Sequence, residues 1–169
     1  MQIANVSPTE LHECAEVIRH SFATVAREFR LTRENCPTHT SFMTAARLRG
    51  EFDNGALMFA LREGDAIIGF VALKPQGSSF ELSHLAVLPE HRHNGYGLHL
   101  LNHCKTTAQK LGGRTITIGI INESAVLKDW YIANGFTHTE TQKFAHLPFT
   151  VGFMEAQVYV AVRETPCGQ

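Results

Sequence analysis

No stretch of this chain approaches the roughly 20 consecutive apolar residues that a membrane-spanning helix requires. Residues 1–10, MQIANVSPTE, also lack the basic segment followed by a hydrophobic one that marks a secretory leader. The chain is therefore expected to be soluble and unprocessed, with no membrane partner. Charge imbalance is missing too: 15 Lys and Arg stand against 16 Asp and Glu, a net charge of −1, so there is no electrostatic footprint for nucleic acid. The four cysteines, Cys14, Cys36, Cys104 and Cys167, form no C-x-x-C pair and are too sparse for a disulfide scaffold, which points to reduced thiols in a cytoplasmic protein. A P-loop lysine is absent, and Leu100 stands where the third glycine of a dinucleotide fingerprint would fall. Ten histidines invite a metal reading. His99 and His103 lie four apart, but no glutamate adjoins them as in H-E-x-x-H, and they share the polar side of their helix with Asn102, Thr106 and Lys110. Solvated surface histidines, and no metal, are the better expectation.

What is present is an ordinary globular composition, 44% hydrophobic over 169 residues, enough for one core and hence a single domain across residues 1–169. Residues 1–6 read as a short strand. Ser7-Pro8 then opens a helix in which Leu11, Ala15, Ile18, Phe22, Val25 and Phe29 recur at intervals of three and four, to about Leu31. A second helix carries Phe42, Ala45, Ala46, Leu48 and Phe52 and closes at Asp53-Asn54-Gly55. From Ala56 the period becomes extended: residues 56–62, 66–75 and 79–88 read as a three-stranded meander. A helix over residues 97–111, a buried strand over 114–121, a short helix over 122–134, and strands over 136–147 and 149–162 complete the chain.

The most informative stretch is residues 81–97, E-L-S-H-L-A-V-L-P-E-H-R-H-N-G-Y-G. An alternating strand delivers the chain to a glycine-bearing turn, and a helix follows at once. Gly95 and Gly97 permit positive φ and close backbone approach, and the helix aims its unpaired N–H groups back at the turn. Such a turn is suited to a phosphate or pyrophosphate.

About thirty residues after R-H-N-G-Y-G comes N-E-S-A-V-L-K-D-W-Y-I-A-N-G-F. The R-x-x-G-x-G turn, its pairing with N-x-x-A…Y-x-x-x-G-F, and the element order together resemble the GNAT superfamily of acyl-CoA N-acyltransferases. The resemblance implies an α/β (α+β) fold with a mixed, mostly antiparallel sheet of about seven strands, flanked by about four helices. It implies a splayed parallel strand pair that forms the acyl-CoA cleft, acetyl-CoA as cofactor, and an acetyl transfer to a primary amine of a small molecule or peptide. By the same resemblance the pyrophosphate lies on the turn formed by Arg92, His93, Asn94, Gly95, Tyr96 and Gly97, with Leu98 opening the helix. The pantetheine arm would bond to the backbone of Leu85, Ala86 and Val87, with Asn122 and Ser124 on the neighbouring strand end, and an N–H near Val87 would polarise the thioester. Arg92 is expected to be a surface residue guided by phosphate.

Acetyl transfer must remove a proton from the acceptor and stabilise the departing thiolate. Tyr131 aligns with the family tyrosine that serves the sulfur, and Glu81 lies where relatives place a general base. His84 competes for that role, since an ordinary imidazole titrates near neutrality. Strand alternation sends Glu81 and Ser83 to one face and Leu82 and His84 to the other, so both candidates reach one cleft only if a bulge intervenes. The acceptor is expected between the loop at residues 31–40 and the segment 143–149, where Phe149 is expected to pack. A homodimer is left open. Two alternatives stand beside the enzyme: a catalytically silent acyl-CoA binder, and a different phosphate binder.

Overall fold

Local signals set most of the element boundaries in the computed structural model, which describes residues 1–158. Ser7 and Glu10 form a reciprocal capping box around a 3₁₀ turn at Pro8–Glu10, and α1 runs on from Leu11–Glu28. It stops three residues short of the expected end, because Arg30 turns left-handed at φ 53 and Leu31 N–H returns to Ala26 O at 2.8 Å. Thr44 caps α2 (Ala45–Asp53), its hydroxyl accepting from Arg47 N–H at 3.1 Å. Gly55 (φ 91) ends it, with Ala56 N–H bonded to Glu51 O at 3.1 Å.

Next come β2 (Leu57–Glu63), β3 (Ala66–Gln76) and β4 (Ser79–Val87), the expected meander, with β1 (Gln2–Asn5) paired to β2. The helix α3 (Tyr96–Lys110) begins one residue before its expected start. Beyond it lie β5 (Thr115–Ile121), α4 (Ala125–Ala133), β6 (Thr137–Lys143) and β7 (Thr150–Gln157). The last strand was expected to reach residue 162; residues 159–162 fall outside the described part, as does Cys167.

Among the described residues the sheet has seven strands in the order β1-β2-β3-β4-β5-β7-β6. Every pair is antiparallel except β4 with β5. The expected mixed fold with about seven strands and four helices is thus the observed one. Alternation divides the interior into two layers. Phe59, Leu61, Val71 and Leu73 face α3 together with Leu100, Cys104 and Tyr131. Met58, Ala60, Phe70 and Ala72 face α1 and α2 together with Ile18 and Leu48. The side chains of Phe70, Ile18 and Leu48 are fully enclosed, so truncating any of them to alanine is expected to cost about 2–5 kcal/mol. No helix among the described residues is long and apolar enough to cross a membrane.

Candidate functional site

After β4 a 3₁₀ turn at Pro89–His91 drops the chain to the glycine turn. His93 (φ 63) and Gly95 (φ 77) are both left-handed, and the Asn94 amide between them donates to His91 O at 3.1 Å and Arg92 O at 3.2 Å. The first bond of α3 runs from His99 N–H to Gly95 O at 3.0 Å, which leaves the N–H groups of Tyr96, Gly97 and Leu98 without helical acceptors. Left-handed residues followed by a helix start make a concave nest of N–H groups with the positive dipole end behind it. A Cβ at Gly95 would meet nothing within 4 Å, and one at Gly97 would only touch the Trp130 ring at 3.8 Å. Packing within the chain thus leaves the cradle open, and its donors suit a pyrophosphate.

Arg92 departs from its expected role as a surface side chain guided by phosphate. Its guanidinium turns inward: Nε donates to Val87 O at 3.2 Å, Nη1 to Thr24 Oγ1 at 3.1 Å and Nη2 to Ser21 O at 2.6 Å. The side chain ties the glycine turn and the end of β4 to α1, because a part-buried guanidinium needs several acceptors that the loop itself lacks. Only its backbone remains for the nest.

The strands β4 and β5 pair at Ser79↔Thr115, Phe80↔Ile116 and Glu81↔Thr117 and then diverge, while β5 stays paired with β7 to Ile121↔Val151. The β5-facing backbone edge of β4 beyond Glu81, which includes the expected Leu85, Ala86 and Val87, therefore has no strand partner. A bulge does intervene in β4. Ala72 pairs with Ser83 and Phe70 with Ala86, so the single residue Val71 opposes both His84 and Leu85. His84 carries the irregularity at φ 55. Cross-strand partners share a face. Glu81 (opposite Lys74), Ser83 and Ala86 thereby lie on the α1/α2 side, whereas Leu85 and Val87 pack with the α3 layer. The extra residue swings His84 onto the side of Glu81.

There His84 Nε2 meets the carboxylate of Glu51 on α2, at 2.9 Å and 3.2 Å to the two oxygens. Lys74 Nζ lies 3.4 Å and Arg47 Nε 3.6 Å from the same carboxylate. Burial pushes the Glu51 carboxyl upward, but the His84 hydrogen bond and the neighbouring charges of Lys74 and Arg47 outweigh it and hold it below the ordinary carboxylate range. Glu81 is engaged elsewhere, accepting from Gln76 Nε2 at 2.7 Å. Beside this network a cavity of about 320 Å³ is lined by Glu51, Asn54, Ala56, Lys74, Pro75 and Gln76. Glu51 was not singled out from the sequence, and no local motif marks it, for it stands 33 residues from His84.

Tyr131 sits on the other face. Its ring is edge-to-face with Trp130 and Phe136, at centroid distances of 4.9 Å and 5.2 Å. Burial raises its phenol above the ordinary value, so the group stays protonated and can act as a hydrogen-bond donor. Asn122, at the end of β5, accepts from Lys128 Nζ at 3.0 Å, and a Cβ on Gly152 would come within 2.9 Å of the same amide oxygen. Ser124 is the N-cap of α4 without a side-chain cap bond. The two segments expected to hold the acceptor converge: Leu31 and Cys36 pack with Leu147 and Phe149 around Ile121, at the splayed end of β5.

The family model described as an acetyltransferase (GNAT) domain matches residues 29–152. In backbone, the chain is similar to the ribosomal-protein-S18-alanine N-acetyltransferase of Escherichia coli, with TM-score 0.77, 16% identity, and 96% of this chain and 97% of that one covered. It is likewise similar to the PaiA N-acetyltransferase of Thermoplasma acidophilum, solved in complex with coenzyme A, with TM-score 0.75, 20% identity, and 93% and 99% covered. Among curated sequences, a mycothiol acetyltransferase of Amycolatopsis mediterranei (strain U-32) is 42% identical over 59 residues, 34% of this chain and 19% of that protein. The chain thus matches only about a fifth of the length of that relative.

Proposed function

The chain belongs to the acetyltransferase (GNAT) domain family, and from that premise we propose that it is an acetyl-CoA-dependent N-acetyltransferase acting on a primary amine of a small molecule or peptide. The observation that carries this reading is the unpaired edge of β4, which opens at Glu81↔Thr117 and leads into the N–H nest at His93, Gly95 and the start of α3. A backbone edge followed by an anion nest fits an extended amide-bearing arm ending in a pyrophosphate. Acetyl-CoA, when bound, supplies a thioester whose C–S bond is exchanged for a C–N bond to the acceptor.

The chain's own groups divide the remaining work. Residues 85–87 offer backbone donors and acceptors along the edge, and Asn122 and Ser124 flank it from the β5 side. The Tyr131 phenol, kept protonated by burial, donates toward the sulfur side. Of the two proton acceptors expected on β4, His84 stands at the bulge within the splayed part, while Glu81 remains in the paired part and is bonded to Gln76. The geometry favours His84 as the group that takes the amine proton, with Glu81 shaping the charge of the acceptor side.

The test is direct. Acetyl-CoA at millimolar concentration is expected to raise the melting temperature of the purified protein, as any ligand specific to the native state does. A thiol-release assay over a panel of small amines and peptide N-termini is expected to find an acceptor, and Tyr131→Phe to lower kcat about tenfold or more. No thermal shift with acetyl-CoA, or no thiol release with any amine, would remove the reading.

A further inference from the structure

The network on the α1/α2 face goes beyond what acetyl transfer by itself demands. We infer that Glu51 is the positioning residue for His84: its carboxylate accepts the Nε2 proton, holds the imidazole in the bulge of β4, and leaves Nδ1 as the atom that receives the acceptor's proton. The inference rests on the acetyl-transfer reading above and deepens it on the acceptor side.

Three independent observations meet at this pair. The first is strain. His84 is one of three non-glycine residues with positive φ among the described residues, a backbone conformation that persists where the surroundings over-determine it. The bulge of β4 and the Glu51 contacts at 2.9 Å and 3.2 Å are the constraints that meet there. The second is desolvation: only 6% of the His84 side chain and 15% of the Glu51 side chain is exposed, so the hydrogen bond is shielded from competing water. The third is charge. Glu51 also faces Lys74 from β3 and Arg47 from its own helix, and those cations keep its carboxylate ionised as an acceptor.

An imidazole with its Nε2 proton committed to a carboxylate has a single free lone pair, on Nδ1. In the reaction the amine nitrogen loses a proton to Nδ1 as the C–N bond forms. The C–S bond breaks, its electron pair stays on sulfur, and the thiolate is protonated from the Tyr131 side or by solvent. The resulting imidazolium is stabilised by Glu51 and later yields its proton to water.

The test combines turnover with a measurement that needs none. Glu51→Ala is expected to lower kcat roughly 10- to 100-fold while the KM for acetyl-CoA changes less than about twofold. Glu51→Gln, whose amide oxygen still accepts from Nε2–H, should recover a large part of the loss. In a His84→Ala background, Glu51→Ala should add less than about a twofold change, because the two residues act as one unit. Long-range ¹H–¹⁵N spectra of the histidine rings, with the His84 signal identified by its absence in His84→Gln, should show one Nε2–H tautomer in the wild type and a tautomer mixture in Glu51→Ala. A full additional loss in the double variant, or a His84 tautomer unmoved by Glu51→Ala, would overturn the inference. Failure of acetyl transfer itself is separately visible as absent turnover in the wild type, while the spectra still decide the role of Glu51.

Discussion

The two faces of the β4–β5 cleft are built by different means. On the α3 side, the proposed binding groups are backbone: an unpaired strand edge, two left-handed residues and a helix start, all within residues 85–98. On the α1/α2 side the groups are side chains from separate elements: Glu51 and Arg47 on α2, Lys74 on β3 and His84 on β4. Backbone recognises what all partners of a site share and cannot be changed without changing the fold. Side chains can be exchanged one at a time, so a site built from them can differ from one member of a fold to another. Arg92 links the two faces, since it grips β4 at Val87 and α1 at Ser21 and Thr24.

Substitutions on each side test that division. The largest effect is expected from His84→Ala, a fall in kcat of about 10²–10³-fold with the acetyl-CoA thermal shift intact, since a general base, the role proposed for His84, contributes on that scale and His84 lies on the α1/α2 side. Loss of the thermal shift in this variant would show that the faces are not separate. Arg92→Ala should reduce stability by about 2 kcal/mol and weaken both acetyl-CoA and acceptor binding, because three hydrogen bonds joining α1 to the turn disappear. Chemical denaturation alongside calorimetric binding checks both parts, and a stability-neutral variant with weaker cofactor binding alone would restore the phosphate-guiding role.

Gly97→Ala probes the proposed cofactor face. Its Cβ meets only the Trp130 ring at 3.8 Å, so the free protein should be unchanged or stabilised by up to about 1 kcal/mol. Acetyl-CoA affinity should nevertheless fall severalfold as the cradle fills, and unchanged affinity would move the pyrophosphate elsewhere. The smallest effect concerns His39, which packs edge-on between Phe22 and Phe42 on the α1/α2 side. Burial, with Arg47 nearby, pushes its pKa down from 6.5 to about 4. The unfolded chain then binds more protons than the folded one between these values. Stability should therefore fall as pH drops from 6.5 toward 4, by on the order of 1 kcal/mol, and His39→Gln should flatten that part of a melting-temperature profile.

Much of the fold was legible because its signals are local. The alternation in β2, β3 and β4, the helix opening at Ser7-Pro8 and the stop at Gly55 depend on near neighbours in the chain. The errors are local as well: α1 was expected to continue to Leu31, but its apolar spacing says nothing of the left-handed turn at Arg30. The glycine turn and the helix start behind it were readable for the same reason. The side-chain network on the α1/α2 side was not. Simple alternation separated Glu81 from His84, and a bulge that no residue type announces put them on one side. Arg92 was read as a surface side chain because its acceptors, Ser21 and Thr24, lie about seventy positions away.

By itself, the sequence determined the order of elements, the glycine turn and the helix start behind it, because φ preference, capping and hydrophobic period act over a few residues. Tertiary structure alone decided that β4 parts from β5 after Glu81, that its bulge turns His84 toward α2, and that Glu51 is waiting there. Those outcomes depend on which distant surfaces pack together, and a burial energy summed over the whole core has no signature at any single position.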